Sequence, residues 1–528
     1  MRPQDREAVL VDVVQRVSER WSRPAHAAEH AVLDTLYEER RRLERQANSA
    51  DTPERRALYE RLRREAPKAS PELQREMLRE LVQGFAAEVA GSFSAPVYAL
   101  ATRVLPPALN VLLNTLSPLR LLESLPGGGG RLDEQLEMEG ETDAVKALAG
   151  RATLMFVPTH ASHLDSVLMG LALYRLGLPP VLYGAGLNLF ENPLIGVFMR
   201  HVGAYRVDRT KKAAVYKDVL KAYAGCTLER GYHQLFFPGG TRSRSGAVER
   251  HLKMGLLGMA LDAYANNLRA GRPRPDVFVV PCTLNYQLVL EAETLIEDFL
   301  KEAGKSRYII VDDEFSKPRR VLEFVRRLFT LDSRVHLVFG RPLDVFGNPV
   351  DADGTSRDAR GRPVDRRRYL LARGEVVADR QRDAEYTVEL AEAVARAFQR
   401  DTVVKATHLL SHTALGLFRE LNPERDLYRL LRVGVDEESL DLRTVYTRLD
   451  AALARLSDLC VAGRLRLDPR LARQDAGALV GQALAHLGSY HRAPALFRRG
   501  DRLFSADRSL LLFYGNRLGE HEALREVA

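Results

Sequence analysis

Hydrophobic positions recur with a helical period over the first 90 residues of the chain. The stretches VLVDVVQRVSERW and HAVLDTLYEERRRLERQ place apolar residues three or four positions apart, with charged residues between them. This pattern is typical of amphipathic helices that bury one face. Residues 1–90 are therefore predicted to form an all-helical region, and the charge runs are interpreted as its solvated face.

The pattern changes after Gly127–Gly130, a glycine run that we interpret as a linker. Short apolar runs rich in β-branched or aromatic residues then recur, at Thr153–Pro158, Val181–Tyr183, Gln234–Phe237, Val277–Pro281 and Val335–Phe339. Helical patterns separate them, at Ala213–Arg230 and His251–Arg269. Strands that alternate with helices predict an α/β domain with a mostly parallel sheet over residues 131–345.

Three further segments complete the predicted organisation. Residues 91–130 combine an apolar, proline-broken stretch with the glycine linker, and residues 346–385 are predicted to form an exposed loop or arm because Gly, Pro, Asp and Arg dominate there. Residues 386–528 return to helical patterning. The expected fold is therefore α/β, with a mostly parallel sheet flanked by N-terminal and C-terminal helical regions.

The apolar stretch between Arg103 and Arg120, VLPPALNVLLNTLSPL, is interrupted by three prolines. A membrane-spanning helix needs about 20 consecutive apolar residues. We therefore expect a helix pair that lies at a membrane surface or packs on the α/β domain, rather than a span.

Composition narrows the class of protein further. Across 528 residues, 45% are hydrophobic and 28% charged, which is typical of globular proteins and excludes fibres and global disorder. The three cysteines form no CxxC pair and the N-terminus has no apolar stretch, so we expect a reducing compartment and no signal peptide. The net charge of +8 favours anionic partners, but the arginines are dispersed and match no nucleic-acid-binding module.

The first candidate for chemistry is VPTHASHLD, which follows a predicted strand and opens a predicted helix. Across such a turn Asp165 can approach one imidazole nitrogen of His160, which would fix the tautomer of a general base. Two alternatives stay open at this point. His160 could be an ordinary surface residue with Asp165 favouring the helix N-terminus, or His160, His163 and Asp165 could bind a metal. Because no second ligand cluster follows, we expect no metal.

Two later stretches suit an anion. The segment NPLIGVFMRHVGAYRVDR carries Arg200, Arg206 and Arg209 around a glycine-containing turn. In LFFPGGTRSRSG, a predicted strand runs into Gly240, Thr241 and Arg242, whose backbone N–H groups, hydroxyl and guanidinium would suit a phosphate. The spacing is not that of a Walker loop, and an ordinary surface loop remains the alternative.

The fourth stretch is VVPCTLNY, in which a predicted strand ends at Pro281 and is expected to form one wall of a pocket. Cys282 has no candidate base nearby and is interpreted as a small buried residue. The chain has no GxSxG motif, which argues against a serine hydrolase.

Taken together and in this order, the four stretches resemble the conserved blocks of the glycerolipid acyltransferase superfamily, which share an HxxxxD motif. They look most like its glycerol-3-phosphate acyltransferase branch. The resemblance covers residues 130–345 and is weaker at Thr407–Leu421 and at LLFYGNRL, residues 511–518. It implies that residues 131–345 are an acyltransferase catalytic domain and that residues 91–130 are membrane-proximal.

The resemblance implies roles for the candidate residues. His160 would be the base that deprotonates an acceptor hydroxyl, and Asp165 would orient it. The alkoxide would attack an acyl thioester directly, without an acyl-enzyme. Arg209 and Arg242, with the Gly240–Thr241 turn, would bind the acceptor phosphate. The implied partners are an acyl-CoA or acyl carrier protein donor, a glycerol phosphate acceptor and a membrane surface, with no cofactor and no nucleic acid. The implied location is the cytoplasmic face of the membrane, as a peripheral, monotopic protein.

The chain departs from the family pattern at two positions. Gly239 stands where the third block normally has a glutamate that contacts the glycerol part of the acceptor, and Asp208 stands where the branch often has a second arginine beside Arg209. The long helical extensions favour glycerol 3-phosphate as the acceptor. A lysophosphatidate or other lysophospholipid acyltransferase, a metal-dependent hydrolase and a non-catalytic membrane-surface binding protein remain alternatives.

Overall fold

The computed structural model describes residues 1–23, 27–45, 53–94, 96–98, 135–186, 203–303, 333–435 and 437–519. The α-helices in these ranges, numbered in chain order, are α1 Pro3–Ser22, α2 Ala27–Arg45, α3 Pro53–Glu65, α4 Pro71–Val89, α5 Thr142–Ala149, α6 Leu164–Arg175, α7 Ala214–Glu229, α8 Met254–Arg269, α9 Ala292–Ala303, α10 Arg380–Arg400, α11 Ala406–Glu420, α12 Leu427–Leu431, α13 Leu442–Val461, α14 Ala476–Leu487 and α15 Arg508–Gly519. Short 3-10 helices lie at Ala66–Lys68, Arg366–Tyr369 and Leu471–Arg473.

A seven-stranded sheet lies at the centre of the α/β region. Its strands are β1 Leu136–Gly140, β2 Thr153–Pro158, β3 Leu182–Gly186, β4 Ala204–Val207, β5 Gln234–Leu235, β6 Val277–Asn285 and β7 Val335–Phe339. Their order is β1-β7-β6-β2-β5-β3-β4. The five strands from β6 to β4 are mutually parallel, and β7 runs antiparallel to β6 with β1 parallel beside it. The predicted fold class is confirmed.

Two strands of this sheet were not predicted from the sequence. In β1, LEMEG, only Leu136 is buried, and in β4, AYRV, two apolar residues precede a partly exposed half. Both are short edge strands, where one side of the ladder is unpaired and a continuous apolar run is not needed. The central strand β2 is buried at every position, which explains why it was readily predicted.

The helices α1, α2 and α4 pack against α7, and α3 adds to the hydrophobic core that they share, built from residues such as Val13, Leu81, Phe85 and Tyr216. Charged contacts tie the two parts together. The guanidinium of Arg16 donates to both carboxylate oxygens of Glu229, at 2.6 and 2.7 Å. The N-terminal helices therefore cover one flank of the α/β region instead of standing apart from it.

The C-terminal helices α11, α13, α14 and α15 share one continuous core with the sheet. Helix α15 packs along α11 and also contacts α9. Small strand pairs join these helices, at Val403–Val404 with Arg466–Leu467 and in a three-stranded sheet formed by Leu440–Asp441, Arg502–Phe504 and Phe497–Arg499. The C-terminal region thus contacts the α/β domain directly, close to the carboxyl ends of its parallel strands.

The segment 346–385 contains short antiparallel pairs, Ser356–Arg357 with Pro363–Val364 and Leu371–Ala372 with Glu375–Val376. Arg366 anchors it, because its Nη2 donates to Asp276 at 2.8 Å and its guanidinium lies over the ring of Phe278. The segment is therefore a folded arm that is fastened to the α/β domain.

Some predicted features lie outside the described residues. These are Arg200 and residues 101–134, which include most of the apolar, proline-broken stretch. Among the helices that are described, none combines the length and the apolar character that crossing a bilayer requires.

Candidate active site

The candidate site lies where β2 and β6 end, at the carboxyl edge of the parallel strands. The run TLMFVP ends in a proline that follows a fully buried strand, and five residues then lead into α6 at Leu164. Ligand sites in open α/β sheets form at this edge, because the loops that leave the strands converge there. His160 lies in this loop and Asp165 lies in the first turn of α6.

His160 and Asp165 are in direct contact. Nδ1 of His160 lies 2.9 Å from Oδ2 of Asp165, and the carboxylate is fully buried while the His160 side chain is 11% exposed. An ionised carboxylate can only accept, so Nδ1 carries the proton and donates it. Nε2 of the neutral imidazole is then unprotonated, which is the form that a general base needs.

The Asp165 carboxylate is held by three further donors. Its Oδ2 accepts the backbone N–H groups of Ala161 and Ser162, at 2.7 and 2.9 Å. Its Oδ1 accepts a hydrogen bond from the hydroxyl of Tyr286, which follows β6. Four donors on one buried carboxylate leave it no freedom to turn, so the imidazole orientation is determined by the fold around it.

The surroundings of His160 favour its neutral form. Burial lowers the pKa of His160 below its ordinary value; Asp165 opposes this shift, and the positive charge of Arg242 contributes to it. The ring stacks on Phe237, with centroids 4.0 Å apart. The peptide of His160 is fixed on both sides, because its N–H donates to Glu249 Oε1 at 2.7 Å and its C=O accepts the N–H of Ser243 at 2.7 Å.

The third motif forms a turn beside His160. Gly240 has φ 77°, in the left-handed region that favours glycine, and its N–H bonds to the carbonyl of Phe237. Thr241 next to it is exposed. Arg242 lies 3.4 Å from the buried carboxylate of Glu291, and this carboxylate also accepts from the Ser162 hydroxyl at 2.8 Å. Arg242 is thereby held next to the His160 loop.

Arg209 approaches the same region from the end of β4. Burial, and after it the positive charge of Arg242, lower the pKa of Arg209, so the two guanidinium groups lie close enough to repel each other. Two neighbouring cations favour a shared anion. Arg206 lies within β4, opposite Ala185, and is partly buried. Asp208 has a local role, since it accepts hydrogen bonds from both the N–H and the hydroxyl of Thr210, at 2.8 and 2.6 Å.

Pro281 does not have the predicted place at the end of a strand. Strand β6 continues to Asn285, and Pro281 pairs with Val157 inside the sheet. The prediction of a strand end was wrong because proline lacks only the N–H donor, and the carbonyl of Pro281 still accepts the N–H of Gly340 at 2.8 Å. The residues that reach the site from this strand come later, with Tyr286 foremost.

Four site residues were missed by the sequence reasoning: Tyr286, Glu249, Glu291 and Arg517. Arg517 is buried on α15, where its Nη2 donates to the carbonyl of Leu284 at 2.8 Å. Burial lowers its pKa, while Glu249, Asp165 and Tyr286 oppose that shift, so its charge lies near theirs. Tyr286 ends the fourth motif and Arg517 lies within LLFYGNRL, so both carried a weak sequence signal; Glu249 and Glu291 carried none.

A cluster with metal-ligand chemistry occurs elsewhere in the described part of the chain. Ligand atoms of Glu137, Glu139 and His336 lie within 4.8 Å of one another, on β1 and β7. Cations already accompany these carboxylates, because Arg334 pairs with Glu137 and Arg466 lies 3.7 Å from Glu139. The cluster joins β1 and β7 to the C-terminal region, and it does not include the trio His160, His163 and Asp165.

Comparison with known proteins agrees with the family resemblance that the four motifs indicate. Residues 136–285 match the acyltransferase family model. The chain is 33% identical to a glycerol-3-phosphate acyltransferase of Actinobacillus succinogenes over 230 residues, which are 43% of this chain and 26% of that protein. It is 29% identical to one of Pseudomonas entomophila over 290 residues, 55% of this chain and 32% of that protein.

The alignments thus span about a quarter to a third of the length of these relatives. A crystal structure of a 1-acyl-sn-glycerophosphate acyltransferase from Thermotoga maritima matches at 15% identity and a TM-score of 0.25, over 56% of this chain and 94% of that chain. The family resemblance that the four motifs indicate is confirmed: residues 136–285 match the acyltransferase family model, and the curated relatives are named glycerol-3-phosphate acyltransferases.

Proposed function

We propose that the protein transfers a fatty acyl group from an acyl thioester to a hydroxyl of glycerol 3-phosphate. The observation that carries this proposal is the buried His160–Asp165 pair, with Arg242 held next to its loop and Arg209 near Arg242. A neutral imidazole of fixed tautomer suits the deprotonation of a hydroxyl, and neighbouring guanidinium groups suit a phosphate on the same acceptor. The names of the curated relatives support the same acceptor.

The reaction needs one base and no covalent enzyme intermediate. Nε2 of His160 accepts the proton of the acceptor hydroxyl while the oxygen attacks the thioester carbonyl. The tetrahedral intermediate then collapses, the C–S bond breaks, and the thiolate takes the proton from the imidazolium to leave as a thiol. Asp165 stabilises the transient imidazolium through Nδ1, and holding both substrates at one site lowers the entropic part of the barrier.

The phosphate of the acceptor is proposed to lie between Arg209 and Arg242, near the turn at Gly240–Thr241. Charge-assisted hydrogen bonds from two guanidinium groups would hold it and place the hydroxyl at His160. Glu291 neutralises part of the charge of Arg242. We therefore expect Arg209 to contribute much of the field that attracts the anion.

We also propose that the protein works at a membrane surface, on the cytoplasmic face, as a peripheral protein. The acyl donor and the product are amphiphilic, so a site next to the bilayer would shorten product release. The support is the apolar stretch that Arg103 and Arg120 bracket. Coenzyme A and acyl carrier protein both remain candidates for the carrier of the acyl group.

An acceptor panel tests the proposed function. Purified full-length protein is given palmitoyl-CoA with glycerol 3-phosphate, lysophosphatidate, glycerol or no acceptor, and free thiol is measured. We expect turnover with glycerol 3-phosphate and little without phosphate. A preference for lysophosphatidate would show that the protein is the alternative, a lysophosphatidate acyltransferase. Thiol release that is independent of every acceptor would contradict acyl transfer.

A further inference from the structure

The side chain of Glu249 lies against Gly239, the residue that departs from the family pattern. A Cβ atom at position 239 would lie 3.1 Å from Cγ and 3.3 Å from Oε1 of Glu249. At these distances the Glu249 side chain would have to give way by a few tenths of an ångström. The backbone does not itself require glycine at 239, because Gly239 is not among the glycines with positive φ. A side chain at position 239 would therefore compete with the Glu249 side chain for the same space.

Glu249 uses this room to reach His160. Its Oε1 accepts the backbone N–H of His160 at 2.7 Å. Its Oε2 is buried and, among the described residues, has no hydrogen-bond partner. Burial raises the pKa of Glu249 to about 7, while the His160 N–H and the charge of Arg517 oppose the shift. The carboxyl group therefore belongs to the electrostatic surroundings of His160 and Asp165.

We infer that Glu249, ten residues later in the chain, places a carboxyl group beside the position where the third motif lacks one, and that it is a positioning residue for His160. The inference rests on the proposed function. Glu249 holds the N–H of His160, Ser243 holds its carbonyl, and Asp165 holds Nδ1. Losing the first of these contacts would let the peptide, and with it the base, move relative to the acceptor.

The geometry predicts that side chains at 239 and 249 exclude each other, so the test is a double-mutant cycle. Glu249→Ala should lower kcat about 10- to 100-fold while both KM values change by less than about threefold, because misplacing a base by about 1 Å costs rate more than binding. Gly239→Glu in the wild-type background should also lower kcat, because the new side chain displaces Glu249. The double variant Gly239→Glu/Glu249→Ala should regain kcat to within about fivefold of wild type, which is strong coupling between neighbours.

The conservative variant Glu249→Gln provides the matched control. It keeps an acceptor oxygen for the His160 N–H, so its kcat should exceed that of Glu249→Ala. It also keeps the test decisive if the alanine variant does not fold. Full activity of a folded Glu249→Ala protein, or a double variant no better than its worse parent, would overturn the inference.

A second readout does not depend on turnover. The Nδ1–H proton of His160 should give a downfield NMR resonance in the wild type. That resonance should broaden or shift in Glu249→Ala and return in the double variant. An unchanged resonance in Glu249→Ala would overturn the positioning role even if the protein transfers no acyl group. Absence of acyl transfer by the wild type would contradict only the proposed function.

Discussion

The ammonium of Lys211 lies 3.0 Å from the Glu88 carboxylate, and both side chains are buried. Lys211 follows Arg209 by two residues, whereas Glu88 lies on α4 of the N-terminal region. The ammonium also lies 3.3 Å from Glu39 on α2 and 4.8 Å from the ring centre of Phe85. The N-terminal helices thereby fix the loop that carries one of the proposed phosphate-binding arginines.

From this contact we predict that Lys211→Met lowers the free energy of unfolding. Removing one partner of a buried ion pair costs about 3–5 kcal/mol, and we expect the lower end because Arg42 and Arg55 still accompany Glu39 and Glu88. Urea unfolding measures this loss. The KM for glycerol 3-phosphate should also rise, since the Arg209 loop is released. Lys217→Met, at an exposed position on α7, is the control and should change neither quantity appreciably.

The anion site predicts separate effects on the two substrates. Arg209→Gln and Arg242→Gln should each raise the KM for glycerol 3-phosphate, by a factor that corresponds to about 1.5–3 kcal/mol for a charge-assisted hydrogen bond. The KM for palmitoyl-CoA should change much less. Arg274→Gln, an exposed arginine before β6 at the opposite edge of the sheet, is the control. An effect confined to the KM for palmitoyl-CoA would show that these arginines bind the acyl donor and not the acceptor phosphate.

The buried histidine His233 predicts a loss of stability in acid. Its Nδ1 accepts the backbone N–H of Leu154 at 2.9 Å, and burial lowers its pKa to about 4. Between about pH 6.5 and pH 4 the unfolded chain binds a proton at this residue that the folded chain does not. The free energy of unfolding should therefore fall by about 3 kcal/mol from this residue alone as the pH drops through that range.

Urea unfolding at several pH values checks this, with His233→Asn as the comparison. Asparagine keeps an acceptor oxygen but does not titrate, so the pH dependence should become shallower. Burial also lowers the pKa of His408, His412 and His486, so part of the dependence should remain. A variant with the same slope as wild type would show that His233 is not the group responsible.

The proposed membrane association predicts flotation with anionic liposomes. The stretch before the glycine linker places Leu112 and Leu113 between Arg103 and Arg120. Apolar burial and charge attraction act together in interfacial binding, so high salt should weaken flotation without abolishing it. The double variant Leu112→Asp/Leu113→Asp should float less. Equal flotation of the folded variant and the wild type would reject this stretch as the anchor.

The features that were predicted from the sequence depend on local pattern. The run TLMFVP predicts a buried strand because every one of its side chains meets the core. The spacing from His160 to Asp165 predicts their approach because a strand-to-helix turn is compact. Both follow from residues close together in the chain. The edge strand β1 was missed because it is only five residues long and buries only Leu136. Its glutamates are accommodated by partners such as His336 on β7.

The missed site residues depend on tertiary contacts. Arg517 approaches Asp165 and Glu249 from the C-terminal helix, more than 230 residues from the Leu284 carbonyl to which it donates. Glu249 lies in a polar stretch, AVERHL, that resembles any surface loop. Its role appears only when the space left by Gly239 and the N–H of His160 are known together. No periodicity or spacing rule could relate these positions.

The measurement that tests the central claim most directly is thiol release from palmitoyl-CoA with glycerol 3-phosphate, comparing the wild type with His160→Ala. General-base catalysis contributes typically about 10²–10⁴-fold, so kcat should fall at least about 100-fold. The melting temperature should stay close to that of the wild type, which shows that the variant is folded. A folded His160→Ala protein that transfers the acyl group at a rate near that of the wild type would contradict the account.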